Sequence, residues 1–220
     1  MTYLTPSDLT IIYYTCNQEN ENFESGIRRN LLRIIGNFPL ISVSQKPIDF
    51  GKNICVGDVG ANDWNLYRQI QIGCQAATTD FVASAEADNL YPPDYLNINP
   101  DKLDAIYRYQ PIWILKHWQN VFVRKSWCEG AQIVGREYYL HLLEAELGNG
   151  DTWTRKTQTH TNPFSKLNRN WIYYGTDKAV ISFKTGNGLR SNTMTLDESA
   201  DVLVYWGTPA IVRRKLLRCP

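Results

Sequence analysis

Apolar positions in the N-terminal part of the chain alternate between two rhythms. Thr10–Thr15 (TIIYYT) is a short continuous run of β-branched and aromatic residues, the pattern of a buried strand. The polar stretch CNQENEN follows. Phe23, Ile27, Leu31 and Ile34 then recur at helical spacing, which predicts a helix of roughly three to four turns. Pro39 opens a second strand, PLISVSQ, and Pro47 closes it. The Gly- and Asp-containing stretch IDFGKNICVGDVGANDW reads as a loop. Leu66, Ile70, Gly73 and Ala77 mark a second helix, and DFVASA a further buried strand that ends at Glu86-Ala87-Asp88.

Such strand–helix alternation predicts a largely parallel sheet with crossover helices. Ligands of these sheets bind outside the carboxyl ends of the strands. Two polar segments fall at such ends, Thr15–Cys16–Asn17 and Glu86-Ala87-Asp88, and together they define a predicted cleft. The second half is less regular. AIYRYQPIWILK and VFVRKSWC read as strands around a turn at His117–Asn120. AQIVGR reads as a strand running into a helix over Glu137–Leu147, and KAVISFKTG as a late strand. Trp113, Trp118, Trp127, Trp153 and Trp171 crowd this half; such rings fill cores and also stack on sugars.

Composition narrows the function classes. Hydrophobic residues make up 43% and charged residues 20%, which fits a folded globular chain and not a disordered one. The net charge of +1 gives no general pull toward nucleic acid. The five cysteines include no CxxC pair, so they read as reduced thiols of a cytoplasmic protein and not as a zinc set. No signal-peptide pattern opens the chain, and no apolar run reaches membrane-spanning length. Membrane contact is therefore expected to be peripheral at most. The basic segment RRKLLR is the one candidate for it, with a solvated face as the plainer reading. P-loop, GxGxxG and GxSxG motifs are absent.

The chemistry concentrates in DFVASAEADNLYPPDYL. Glu86 and Asp88 lie one residue apart at a strand end, so a turn there lets both reach one hard cation, Mn²⁺ or Mg²⁺. A metal so held would neutralise charge building on a departing diphosphate. An ordinary solvated turn is the competing reading.

The ordered segments TIIYYTCN, PLISVSQ and NLYRQIQIGCQAATTDFVASAEAD, roughly residues 8–96, resemble the donor half of family 2-like glycosyltransferases of the GT-A type. In that family a helix bearing an Arg and a later Gly, here Arg68 and Gly73, leads to a strand ending in the DxD motif; EAD stands in its place. The resemblance implies one α/β domain, with a Rossmann-like, mixed, largely parallel sheet flanked by helices. Residues 8–96 would bind a nucleoside-diphosphate sugar, and residues 97–220 a carbohydrate or other hydroxyl acceptor. It implies nucleotide contacts from Thr15 and Asn17, and a base or ribose contact from Gln45 where the family has an acid. It implies a donor contact from Arg68, metal binding by Asp88, and metal or ribose binding by Glu86. Related enzymes can add a late metal-binding His; FKTGNG offers Thr185 instead, with Gly186 and Gly188 able to close over the diphosphate.

An inverting transfer also needs a carboxylate base. Asp151 is the first candidate and Glu137 the second, with Glu144 and Glu146 as further alternatives. Each site residue has a plainer role open to it: Thr15 and Asn17 as caps of the following helix, Arg68 as a surface partner of Asp63 or Gln71, Asp151 as a turn residue and His160 as plain surface. A nucleotidyltransferase making a sugar nucleotide and a non-catalytic carbohydrate-binding protein remain the rival functions.

Overall fold

The computed structural model describes residues 4–150, 152–156, 159, 161, 170–185 and 195–217. Asp151, His160, Gly186 and Gly188 lie outside the described residues.

Strand β1 (Leu9–Thr15) is buried along its whole length because other strands flank it on both sides. It pairs in parallel with β2 (Leu40–Ser44) and with β4 (Phe81–Glu86), and β2 pairs in parallel with β3 (Lys52–Cys55). The expected loop after Pro47 thus contains an edge strand, too short and too polar to announce itself. Helix α1 (Glu21–Ile35) connects β1 to β2, and α2 (Asp63–Ala76) connects β3 to β4. Asn20 caps α1, accepting from Asn22 N–H, so neither Thr15 nor Asn17 does.

The chain then builds a second sheet while completing the first. The two-residue strand β5 (Asn89–Leu90) follows β4, and a short 3-10 turn covers Pro93–Leu96. The run AIYRYQPIWILK divides at Gln110-Pro111 into β6 (Ile106–Tyr109) and β7 (Ile112–Lys116), which enter different sheets. Strand β8 (Phe122–Lys125) precedes β9 (Gln132–Gly135), helix α3 (Arg136–Leu147), β10 (Trp171–Tyr174), β11 (Val180–Lys184), β12 (Thr195–Ala200) and helix α4 (Pro209–Leu217). The first sheet has the order β10-β6-β9-β4-β1-β2-β3, with β9 antiparallel to both neighbours; the second has the order β12-β8-β7-β11-β5.

Side-chain alternation along β1 sorts the core into layers. Leu9, Ile11 and Tyr13 pack with Leu31 and Ile35 of α1, while Ile12 and Tyr14 pack with Ile70 and Cys74 of α2 and Leu142 and Leu143 of α3. A third cluster joins Trp113, Phe122 and Ile181 of the second sheet to Ile27 of α1 and to Val212 and Leu216 of α4. The basic segment RRKLLR therefore belongs in part to a helix packed on the core through Val212 and Leu216. No helix among the described residues is long and apolar enough to cross a membrane.

Candidate functional site

The strand order reverses at β1: β2 and β3 lie on one side of it, β4 on the other. Parallel strands leave a crevice at such a switch point, beyond their carboxyl ends. Register places Tyr14 beside Glu86, so the chain after Thr15 and the Glu86-Ala87-Asp88 turn leave the sheet next to each other. The second sheet closes the other wall. Phe183 N–H donates to Asp88 O at 2.8 Å, continuing the antiparallel pairing of β5 with β11 and bringing Lys184 alongside Asp88. The resulting cleft encloses about 250 Å³.

Thr15, Gln45, Glu86 and Asp88 line this cleft. The Thr15 hydroxyl donates to the buried carboxylate of Glu24 at 2.6 Å and accepts the Asn17 N–H at 2.9 Å. Gln45 is committed to the loop after β3: its amide donates to Gly60 O at 2.8 Å and its Oε1 accepts from Val59 N–H at 3.2 Å. Asn17 takes a left-handed conformation, φ 54°, and its Oδ1 accepts from both Gln45 N–H and Lys46 N–H at 2.8 Å. It ties the end of β1 to the end of β2 and does not line the cleft, so the expected nucleotide contact from Asn17 is replaced by a scaffold role. A short polar side chain that tolerates φ > 0 suits that position.

Arg68 also departs from expectation. Its side chain points away from the cleft and donates to Leu147 O at 2.7 Å and Gly148 O at 2.9 Å, with Gln71 as a further partner. These are the last carbonyls of α3, which a cation stabilises. Helical periodicity sets this outcome: Tyr67 and Gln69 turn toward the cleft, and Arg68 turns toward α3. Glu137, the second base candidate, is displaced too. Its side chain is 78% exposed and paired with Arg136 at 2.5 Å. The neighbouring Gly135 registers with Phe81, five residues before Glu86 along β4. That puts it about 17 Å of strand length from the acidic turn. Glu144 is likewise exposed on α3 and, like Glu146, is not part of the cleft wall.

Five charged residues that the sequence did not place at the cleft complete its wall: Glu19, Asp63, Lys125, Glu129 and Lys184. Lys125 and Lys184 are the last residues of β8 and β11. The strand-end argument that singled out Glu86, applied to the second half of the chain, points to both. Lys184 Nζ lies 3.3 Å from Asp88 Oδ2, and the other oxygen, Asp88 Oδ1, is buried without a hydrogen-bond partner among the described residues. Glu129 sits on the loop after β8 and accepts a hydrogen bond from the Tyr67 hydroxyl at 3.0 Å. That loop rides on the end of β4: Tyr91 OH donates to Gly130 O at 2.6 Å and accepts from Glu86 N–H at 2.7 Å. Gly130 suits this close approach, because a Cβ would come within 2.4 Å of Asn89 Nδ2 and 2.8 Å of Glu86 Cβ, and those side chains would have to shift. Trp127, on the same wall, is stacked by the Arg108 guanidinium, which lies 3.9 Å from its ring centre and 3.3 Å from that of Trp171.

Burial, reinforced by the charge of Asp88, pushes the Glu86 carboxyl up to about 8. A group that holds its proton in the folded state and loses it in the unfolded state makes the fold less stable as pH rises between the two values. Wild-type stability should therefore fall as pH rises from about 4.5 to about 8 and level off above that. Glu86→Gln should flatten this slope, with urea midpoints measured across the range as the check. The effect is of the order of a few kcal/mol, because each tenfold change in proton affinity is worth about 1.4 kcal/mol, and the residue's partial exposure to the cleft reduces it.

Neither a family model nor a curated protein matches the chain. Solved structures do. S. aureus TarS 1-349 in complex with UDP-GlcNAc aligns at a TM-score of 0.50 and 11% identity, over 85% of this chain and 62% of that one. A glycosyltransferase involved in glycosylating the major capsid of PBCV-1 aligns at 0.45 and 12%, over 77% and 82%. The bifunctional IspDF from Campylobacter jejuni aligns at 0.43 and 10%, over 77% and 50%. The chain spans between 50% and 62% of the length of the first solved structures it matches. With its mixed, mostly parallel central sheet flanked by helices and its cleft at the switch point, the chain has a GT-A-like fold.

Proposed function

We propose that the protein is a glycosyltransferase that moves a sugar from a nucleoside diphosphate to an acceptor hydroxyl. The observation carrying this reading is the Glu86–Asp88 pair at the end of a central parallel strand, facing the switch-point cleft of a GT-A-like sheet. In this reading the donor enters between the carboxyl ends of β1 and β4. The acceptor, a carbohydrate or other hydroxyl compound, approaches along the wall that carries Trp127 and Glu129.

Metal assistance by Mn²⁺ or Mg²⁺ is part of the proposal. Among the described residues no group of three His, Cys, Asp or Glu side chains is placed to hold a metal. The cleft nevertheless fits a hard cation that shares its shell with phosphate oxygens and water. Among the described residues Asp88 Oδ1 is buried and unmatched, the acidic turn offers carboxylate oxygens, and five acidic side chains against two lysines line the wall. A cation between those acids and a diphosphate would strengthen the binding of the diphosphate. Asp88 and Glu86 would hold the ion, which would supply charge neutralisation to the leaving group.

Glu129 is the base in this proposal. Its carboxylate faces the cleft and is oriented by the Tyr67 hydroxyl, which leaves it able to take the acceptor proton as the new glycosidic bond forms. A cytoplasmic location belongs to the same reading and rests on the free thiols of Cys16, Cys55, Cys74 and Cys128.

Calorimetric titration of nucleoside diphosphates, with and without Mn²⁺, tests the donor site. One base should bind with Mn²⁺, and Asp88→Ala should weaken that binding at least about tenfold, the loss of one charge-assisted ligand. Absence of any nucleotide binding in both conditions would remove this reading and favour a carbohydrate-binding protein. Preference for triphosphates would favour the nucleotidyltransferase.

A further inference from the structure

Lys125 and Lys184 approach the acidic turn from the second sheet, and both are largely withdrawn from water. The Lys184 side chain is 19% exposed, and its Asp88 partner 16%. Burial works against the Lys184 charge, but Asp88, Glu86 and Cys128 outweigh it and raise its pKa. Lys125 is held charged in the same way: burial opposes the charge, while Cys128, Glu129 and Glu86 favour it. Its ammonium carries three donors, yet among the described residues it has no hydrogen-bond or ion-pair partner. A buried carboxylate oxygen without a donor is costly. The cleft holds such an oxygen, Asp88 Oδ1, and Lys125 lines the same cleft. A ligand that satisfies both must bring anionic oxygens to the lysine wall and a hydroxyl or a cation to the acidic turn.

We propose that Lys125 and Lys184 bind the diphosphate of the donor directly, with Lys184 bridging a phosphate oxygen and Asp88, so that nucleotide binding survives removal of divalent metal. This assignment rests on the reading of the cleft as a nucleotide-sugar site. It follows from the architecture: the carboxylates come from the first sheet and the ammonium groups from the ends of β8 and β11 in the second. The sheets are joined at this point by the Phe183–Asp88 backbone bond. A diphosphate lying between them would meet cations on one side and, through its sugar or a metal, the acids on the other.

The test is titration of the whole chain with the preferred nucleoside diphosphate in Mn²⁺ and again in EDTA, with the phosphate-free nucleoside as control. Binding should persist in EDTA, weaker than in Mn²⁺ and reduced further by added salt. Lys184→Met and Lys125→Met should each weaken binding in EDTA at least about tenfold, the effect of losing a buried charge-assisted contact. Lys184→Arg should stay within about threefold of wild type, since it keeps the charge. Affinity for the nucleoside, unchanged in all three variants, certifies that the cleft is folded; Lys184→Gln replaces the methionine variant if it is not. Two results overturn the proposal while leaving the donor-site reading intact: complete loss of nucleotide binding in EDTA with recovery in Mn²⁺, or wild-type affinity of the lysine variants in EDTA. Failure to bind any nucleotide in either condition defeats the donor-site reading itself, and this proposal with it.

Discussion

Glu129→Gln should lower kcat by about 10²- to 10⁴-fold, the range of a general base, while leaving nucleotide affinity within about threefold. Glutamine keeps the volume of the side chain and an oxygen that can accept from the Tyr67 hydroxyl, so the loop on the end of β4 keeps its support. It cannot take a proton from the acceptor. The defect should therefore fall on the chemical step and not on donor binding. Steady-state rates of sugar transfer set beside calorimetric titration of the nucleotide separate the two. A variant with wild-type kcat would show that Glu129 is not the base and return that role to Asp151.

The largest effect on stability is expected at Gly135, where β9 meets α3. A Cβ there would lie 1.9 Å from Leu103 O and 2.7 Å from Leu103 C. Both are backbone atoms, so no rotamer change relieves the overlap. Either β9 must move out of its pairing with β4, or the segment leading into β6 must shift. Gly135→Ala should destabilise the fold by about 3 kcal/mol, at the upper end of overpacking effects. The readout is a lower urea midpoint with unchanged slope. An unchanged midpoint would mean that the close approach of Leu103 is dispensable. Gly73→Ala is expected to be milder, because the group it meets, Ile12 Cγ2 at 2.4 Å, is a side chain, and alanine brings a gain in helix propensity.

Local patterns were enough to read the N-terminal half. A strand between two others must be apolar on both faces, and LTIIYYT is. Helices that cover a sheet must repeat every three to four residues, and both crossover helices do. From that alternation follow the parallel sheet, its cleft and the place of Glu86 and Asp88 at a strand end. Patterns of this kind also carried the resemblance to GT-A glycosyltransferases, and the fold agrees with it.

Side-chain direction and long-range pairing were not legible in this way. Whether Arg68 meets donor or helix depends on the rotation of α2 against α3, and hydrophobic spacing fixes that only to within a residue or so. Asn17 and Gln45 sit at strand ends as expected, yet each is consumed by backbone groups that come near only once β1, β2 and the loop after β3 are assembled. The run AIYRYQPIWILK looks like one strand because its residues suit any buried sheet; its division between two sheets emerges only when both are assembled.

That second sheet brings Lys125, Lys184 and Glu129 to a carboxylate pair formed far earlier in the chain. Which segments become strands and helices, and which acids end a central strand, depends on neighbours within a few residues, and those properties are written in the local sequence. Which charges face those acids depends on contacts such as Lys184 with Asp88, made between residues distant along the chain, and these exist only in the assembled fold.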